Sequence, residues 1–372
     1  MRADSGTPVN TIAHTSLHHV EFAVADAEAA ALDLVHRYGF RIAGRTPAHT
    51  PDRLSVALLQ NGITLVLTQA LTPHHPAHAS QRAHGDAVMV IAVRCHDART
   101  VFDNAVAGGA KPLEWPTQDP RTGCVTAQIQ AFGDVRHALL SWPAGSTTQD
   151  HLPPGIHPLS HHDRPATTAS GAGLRAIDHF AVCLPAGSMT STVDFYVRAL
   201  GFRRIFEEQI VVGGQAMLSQ VVQNPGGDVT LTLIEPDPSH APGQIDTYLR
   251  DHGGAGVQHI AFSCENVVNT TRTLRAAGVT FLSSPDSYYA QLPQRLTLGT
   301  YDTEQLRELG LLADSDHAGQ LFQVFTRSTH PRRTFFLELI ERQGATTFGS
   351  GNIKALYQAV EQDHALLATA GV

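Results

Sequence analysis

The chain has 372 residues, more than one ordinary core needs and enough for two, and its 34 acidic against 26 basic residues give a formal net charge of -8. The basic residues form no cluster able to track a phosphate backbone, which excludes nucleic acid as a partner, and no apolar run of about 18 residues exists to cross a membrane. The opening MRADSGTPVNTIAHTS lacks the basic-then-apolar order of a secretion signal, and Cys95, Cys124, Cys183 and Cys264 show no CxxC spacing, so a cytoplasmic protein without disulfides or a thiolate metal site is expected.

In chain order, LHHVEFAVAD begins as a strand, and Asp26 is placed to cap a helix that runs through Leu32 and Val35 and stops at Gly39. Phe40 opens the next strand, and SVALLQ and ITLVLT alternate with period two around an NG turn. The stretch HHPAH reads as a loop whose histidines are solvated. At 87–98, AVMVIAVRCHDA starts a second unit. From 141 to 173 the chain is rich in Pro, Gly, Ser and Thr and has no periodicity, which predicts a surface connection. This places an N-terminal domain at 1–150, a linker at 151–172 and a C-terminal domain at 173–372.

The C-terminal part repeats the pattern. IDHFAVCLPA matches the opening strand, and Val193, Tyr196, Val197 and Leu200 fall at i, i+3, i+4 and i+7 before Gly201 ends the helix. GVQHIAFSCENV at 256–267 aligns with 87–98, and LSQVVQ, VTLTLIE, LFQVFT and TFFLELIE supply further strands. Each half therefore holds two βαβββ units, an α+β fold of paired modules.

On this alignment His179 matches His19, His259 matches Val90, and Glu338 falls opposite HALLSW, which offers no acid. Glu338 interrupts an apolar strand, and a buried glutamate is rare unless it is paired or bound to metal. The separations, 259 minus 179 and 338 minus 259, are 80 and 79, so each residue comes from an equivalent strand of a successive unit. Two imidazoles and one carboxylate on one face of a metal leave positions open for a bidentate substrate and dioxygen. Singly, each has an ordinary reading as a core histidine or a strand-edge acid. His18 and His19 lie in a half without the other two ligands, and Cys183 is read as packing.

The segments IDHFAV, GAGVQHIAF, LFQVFT, FFLELIER and FGSGNIKALYQAVE, in this order and spacing, resemble those of the 4-hydroxyphenylpyruvate dioxygenase family, a two-domain branch of the vicinal-oxygen-chelate fold, over nearly the whole chain. The resemblance implies two half-open barrels and Fe(II) held by His179, His259 and Glu338. It makes Ser219, Thr232, Ile234, Gln323, Phe325, Phe348, Asn352 and Ile353 substrate-pocket residues, with a C-terminal helix as a lid over the iron. Phe325 and Phe348 suit an aryl ring, and Gln323 can offer a donor and an acceptor to a phenol.

Two departures select a branch. Homogentisate-forming members usually carry Pro-x-Asn-Glu where this chain has Thr232-Leu233-Ile234-Glu235, and a Phe where it has Ile353. An amide is lost and room opens beside the metal, so the aryl ring can sit differently. The resemblance then implies the branch that converts 4-hydroxyphenylpyruvate and O2 to 4-hydroxymandelate and CO2, which serves antibiotic biosynthesis, with homogentisate as the alternative product. Rival readings on the same fold are a glyoxalase-like isomerase, an extradiol dioxygenase and a non-enzymatic drug-sequestering protein. A homodimer is expected, with the metal-free first half as the candidate interface.

Overall fold

The computed structural model describes residues 15–146, 152–159, 171–347, 351–352 and 354–355. Phe348, Ile353 and most of the expected lid helix lie outside the described residues.

Two mixed sheets carry the architecture. The first is built from β1 (Ser16–Ala23), α1 (Ala27–Tyr38), β2 (Arg41–Arg45), β3 (Arg53–Gln60), β4 (Ile63–Ala70), α2 (Pro76–His84), β5 (Ala87–Arg94), α3 (Ala98–Ala107), β6 (Pro112–Gln118), β7 (Val125–Gln130), β8 (Arg136–Ser141) and β9 (His157–Pro158). Its strand order is β6-β7-β8-β5-β1-β4-β3-β2-β9. The second is built from β10 (Leu174–Cys183), α4 (Met189–Leu200), β11 (Arg203–Val212), β12 (Gln215–Gln223), β13 (Thr230–Pro236), α5 (Gln244–His252), β14 (Gly256–Cys264), α6 (Val267–Ala276), α7 (Asp286–Arg295), α8 (Thr303–Leu309), β15 (Leu312–Ser315), β16 (Gln320–Phe325) and β17 (Phe336–Gln343). Its order is β11-β12-β13-β10-β14-β17-β16-β15.

Each sheet joins two βαβββ units through the antiparallel pairing of their first strands, β1 with β5 and β10 with β14. Local chemistry sets the helix ends as the sequence predicts. Asp26 accepts hydrogen bonds from the backbone N–H groups of Glu28 and Ala29 at the start of α1, and Gly39 ends it at φ 73°, a conformation that costs glycine nothing. Gly201 does the same for α4 at φ 66°.

Alternation along each strand divides the molecule into layers. Val20 and Phe22 on β1, and Phe180 and Val182 on β10, join helix residues such as Phe102 and Tyr196 in one apolar core that runs through both halves. The intervening residues, His19 and Glu21 on β1 and His179 and Ala181 on β10, line cavities on the opposite face of each sheet.

Three expectations are corrected. HHPAH is not a loop: His75 caps α2, its Nδ1 accepting from the N–H of Ala77, and Pro76 takes the first helical position where no N–H is needed. The connection between the halves does not lie wholly on the surface. Ser141 still belongs to β8, Ile156 is buried against Ala57 and Val66, and His157–Pro158 pair with β2. That pairing requires Gly44, because a Cβ there would meet the His157 carbonyl oxygen at 2.5 Å. Helices α2, α5, α7 and α8 were not expected; each is short, and α7 contains Pro293.

The halves are tied through a buried polar contact between β8 and α4. The Tyr196 hydroxyl donates to His137 Nε2 at 2.9 Å, and His137 Nδ1 donates to the Ile91 carbonyl at 3.1 Å, which requires a neutral imidazole. Burial lowers its pKa from 6.5 to about 4. Between those values the unfolded chain binds the proton and the folded chain does not, so stability is complete above pH 6.5 and declines as pH falls towards 4. The loss reaches about 3 kcal/mol at one imidazole. Urea denaturation at pH 7 and pH 5 should show this decline, and Tyr196→Phe, which leaves His137 Nε2 without its donor, should cost about 1–3 kcal/mol at pH 7. Unchanged midpoints in both comparisons would contradict this account of the contact.

Candidate metal centre

Strand register explains why residues about 80 positions apart meet. His179 on β10 pairs with Ala261 on β14, and Ala261 pairs with Glu338 on β17, so His179 and Glu338 lie in one row across three strands. His259 is two residues before Ala261 and faces the same side. The Nε2 atoms of His179 and His259 lie 3.3 and 3.2 Å from Glu338 Oε2, and all three side chains are buried. Among the described residues these three form the single group of His, Cys, Asp or Glu side chains close enough to hold a metal ion, with ligand atoms within 4.8 Å of one another.

Each ligand is oriented by a neighbour. Asp178 Oδ1 lies 2.8 Å from His179 Nδ1, so Nε2 is the nitrogen directed at the shared centre. Arg342 grips Asp178 with two hydrogen bonds of 2.8 Å, from Nε to Oδ2 and from Nη2 to Oδ1, and its Nη1 donates to the Thr347 carbonyl at 2.7 Å. Burial pushes the Asp178 pKa up, but the hydrogen bonds from Arg342 and His179 outweigh it and hold the carboxyl well below the usual range. His259 stacks on Phe336 with ring centroids 4.8 Å apart and meets Phe325 edge-on at 5.9 Å.

Glu338 shows the same balance. Burial raises its pKa, and the two imidazoles outweigh burial and keep it anionic. Gln323 Nε2 donates to Glu338 Oε1 at 2.7 Å, leaving Oε2 for the centre, and Asn352 Nδ2 donates to Gln323 Oε1 at 2.7 Å. Each end of the Gln323 amide thus makes one bond within the chain, which leaves its second N–H and a second acceptor position for another group in the cavity. The bond to Glu338 arises because β16 and β17 are hydrogen-bonded neighbours, with Phe325 opposite Glu338 and Gln323 two residues away on the same face.

Ser219, Thr232, Ile234, Gln323, Phe325 and Asn352 all line the cavity beside the triad. The sequence reading missed Ile210, Met217 and Gln258 in its wall, and Asp178 and Arg342 behind His179. An acid directly before His179, and an arginine four residues after Glu338 on the same strand face, were the available signals. Cys183 faces the same interior and packs with Ile210, Met217 and Ile234. His18 and His19 approach each other, Nδ1 to Nδ1, at 2.7 Å, and among the described residues they belong to no group of three side chains close enough to hold a metal ion. No helix among the described residues is long and apolar enough to cross a membrane.

Comparison with known proteins agrees with this architecture. Residues 9–140 match the family model "Hydroxyphenylpyruvate dioxygenase, HPPD, N-terminal", and residues 176–294 match the Glyoxalase/Bleomycin resistance protein/Dioxygenase superfamily, the vicinal-oxygen-chelate fold. A triple mutant of 4-hydroxymandelate synthase from Streptomyces coelicolor is similar in structure, with TM-score 0.83 and 40% identity over 94% of this chain and 99% of that one. The 4-hydroxyphenylpyruvate dioxygenases of Xenopus tropicalis and Danio rerio are each 32% identical over 94% of this chain and over 91% and 90% of their own lengths. On its fold, its buried triad and its similarity from end to end, the chain belongs to the 4-hydroxyphenylpyruvate dioxygenase family.

Proposed function

We propose that this chain is an Fe(II)-dependent 2-oxo-acid dioxygenase that converts 4-hydroxyphenylpyruvate and O2 to 4-hydroxymandelate and CO2, with the C-terminal half carrying the reaction and His179, His259 and Glu338 as the iron ligands. One observation carries the choice of product. The wall beside the triad is apolar at Ile234, flanked by Ile210 and Met217, where an amide would hold the ring by a hydrogen bond. The 40% identity to a 4-hydroxymandelate synthase supports the same choice. The 32% identity to 4-hydroxyphenylpyruvate dioxygenases favours homogentisate as the second reading.

The donor set fits ferrous iron: two imidazole nitrogens and one carboxylate oxygen, which leave room for a chelating substrate and O2. When bound, the iron supplies the redox chemistry by which loss of CO2 from the 2-oxo acid and reduction of O2 are coupled to hydroxylation. Atoms balance, with one oxygen entering the new carboxylate and the other the benzylic hydroxyl.

The chain's own residues supply geometry. Gln323 occupies Glu338 Oε1 and presents Oε2 as a single donor, and Asn352 fixes the Gln323 amide. Asp178 holds the His179 ring with Nε2 inward. Phe325 and Phe336 pack against His259 and keep water from its outer face. With no amide at position 234 the ring is not drawn towards that wall, and the benzylic carbon becomes the position presented for oxidation. A displacement of about one ångström changes relative rates by some hundredfold, enough to choose between two products.

Chromatography of a single-turnover mixture of the Fe(II)-loaded enzyme, 4-hydroxyphenylpyruvate and O2 should show 4-hydroxymandelate as the main product, and Ile234→Asn should raise the homogentisate fraction. Homogentisate as the main wild-type product would refute the assignment. Loss of the Asp178 clamp should weaken metal binding without abolishing the fold. Chelator competition should therefore give Arg342→Met a ten- to hundredfold lower Fe(II) affinity than wild type, while Glu338→Ala should abolish turnover and retain wild-type circular dichroism. Full activity in Glu338→Ala would remove the triad from the mechanism.

A further inference from the structure

The first sheet encloses a cavity of about 440 Å3 on the face that corresponds to the metal-centre face of the second sheet. Register establishes the correspondence. His19 pairs with Ala92 as His179 pairs with Ala261, and Ala92 pairs with Ala138 as Ala261 pairs with Glu338. The three ligand positions thus become His19, Val90 and Ala138, and metal chemistry is lost. The cavity has not filled with apolar side chains in exchange. Glu21 stands at the position of Ala181, Arg53 at that of Met217, Gln128 at that of Phe325, and Arg136 at that of Phe336.

Charge in a partly enclosed cavity is costly unless something compensates it. Here the compensation within the chain is loose. Arg53 lies 3.7 Å from the Asp52 carboxylate and Arg136 3.9 Å from that of Glu114, both beyond hydrogen-bonding distance, and Arg136 Nη1 reaches Gln128 at 3.3 Å. Both guanidiniums act electrostatically on the same two groups, Glu21 and His75, so they converge on one region of the cavity. Glu21 accepts from the Thr68 hydroxyl at 2.5 Å, and Thr68 in turn contacts the Ser55 hydroxyl at 2.8 Å, giving that wall a chain of groups that can exchange hydrogen bonds with an alcohol.

We propose that this cavity is a second ligand site, which binds a small hydroxylated monocarboxylic acid with its carboxylate between Arg53 and Arg136 and its hydroxyl at Glu21. Guanidiniums match a carboxylate or a phosphate in shape, and the surrounding charges separate the two. Glu21, Asp52 and Glu114 all border the cavity and repel a dianion more strongly than a monoanion. The site is independent of the reaction at the metal centre, because none of its residues touches the triad cavity.

Isothermal titration calorimetry of the metal-free full chain tests this with 4-hydroxybenzoate, benzoate and inorganic phosphate as probes. 4-Hydroxybenzoate should bind saturably, benzoate at least threefold more weakly and phosphate more weakly still. Arg53→Met and Arg136→Phe, which install the residues found at the matching positions of the second sheet, should each weaken 4-hydroxybenzoate at least tenfold, whereas Ile234→Asn in the other cavity should leave it unchanged. If either arginine variant fails to fold by circular dichroism, Arg53→Lys, which keeps the charge and loses the fork, should weaken it at least threefold. No saturable binding, binding indifferent to the arginine changes, or phosphate as the tightest probe would each overturn the proposal.

Discussion

A carboxylate with almost no exposure to water, at Glu338, is the constraint around which the C-terminal half is organised. A buried anion persists when cations or donors surround it, and here two imidazoles meet one of its oxygens while the Gln323 amide takes the other. The His179 ring and the Gln323 amide have hydrogen-bonded support of their own, whereas His259 Nδ1 has no hydrogen-bond partner among the described residues. Asp178 orients His179, Arg342 neutralises Asp178, and Asn352 turns the Gln323 amide. The hydrogen-bond requirements of one acid therefore reach four strands, β10, β14, β16 and β17, and the segment that carries Asn352. Two imidazoles and an acid held together in this way are already spaced for a divalent cation, which would replace their two contacts with stronger ones.

The duplication supplies the frame for this arrangement and also shows what it costs. Both sheets use the same order of strands and the same register at the equivalent positions, so the backbone alone does not make a metal site. Two substitutions separate them, Val90 for His259 and Ala138 for Glu338. The first sheet carries arginines and Glu21 on its cavity face, while the second carries Met217, Phe325 and Phe336 around the triad. One scaffold thus holds an apolar, metal-competent pocket and a charged one, with the helices of both halves sharing the core between them.

The triad was legible in the sequence because the repeat made position carry meaning. A histidine or a glutamate alone is ambiguous, but His179 and His259 fall on the matching first strands of the two units, β10 and β14; the expectation that Glu338 sits on an equivalent strand of a further unit is corrected, because it lies on β17, the last strand of the unit that begins with β14. The Asp178–Arg342 pair was hidden because its partners are 164 residues apart and their contact depends on β14 lying between β10 and β17. Short helices escaped for a different reason. α2 and α5 bury only three residues each, too few to impose a period on their sequences, and the connection at 152–159 is held by Leu152, Ile156 and Leu159 and by the short β9 pairing, which leave no periodic pattern. Glu21, Arg53 and Arg136 belong to no motif; their convergence depends on β4 and β5 setting β3 and β8 on either side of β1 around one cavity.

Arg342 links the metal ligand to the far end of the chain. Its guanidinium holds Asp178, which holds His179, and the same group donates to the Thr347 carbonyl, while Asp316 accepts from the backbone of Thr346 and Thr347. Asp314 receives the N–H groups of Gly351 and Asn352, so the backbone on both sides of residues 348–350 is anchored to the loop and strand around β15. Asn352 then returns to the centre through Gln323. Two arms meet at the triad: His179, Asp178, Arg342 and Thr347 form one, and Glu338, Gln323 and Asn352 the other. Thr346, Thr347, Gly351 and Asn352 are thus held by Asp316, Arg342, Asp314 and Gln323, groups that belong to or adjoin the network around the triad.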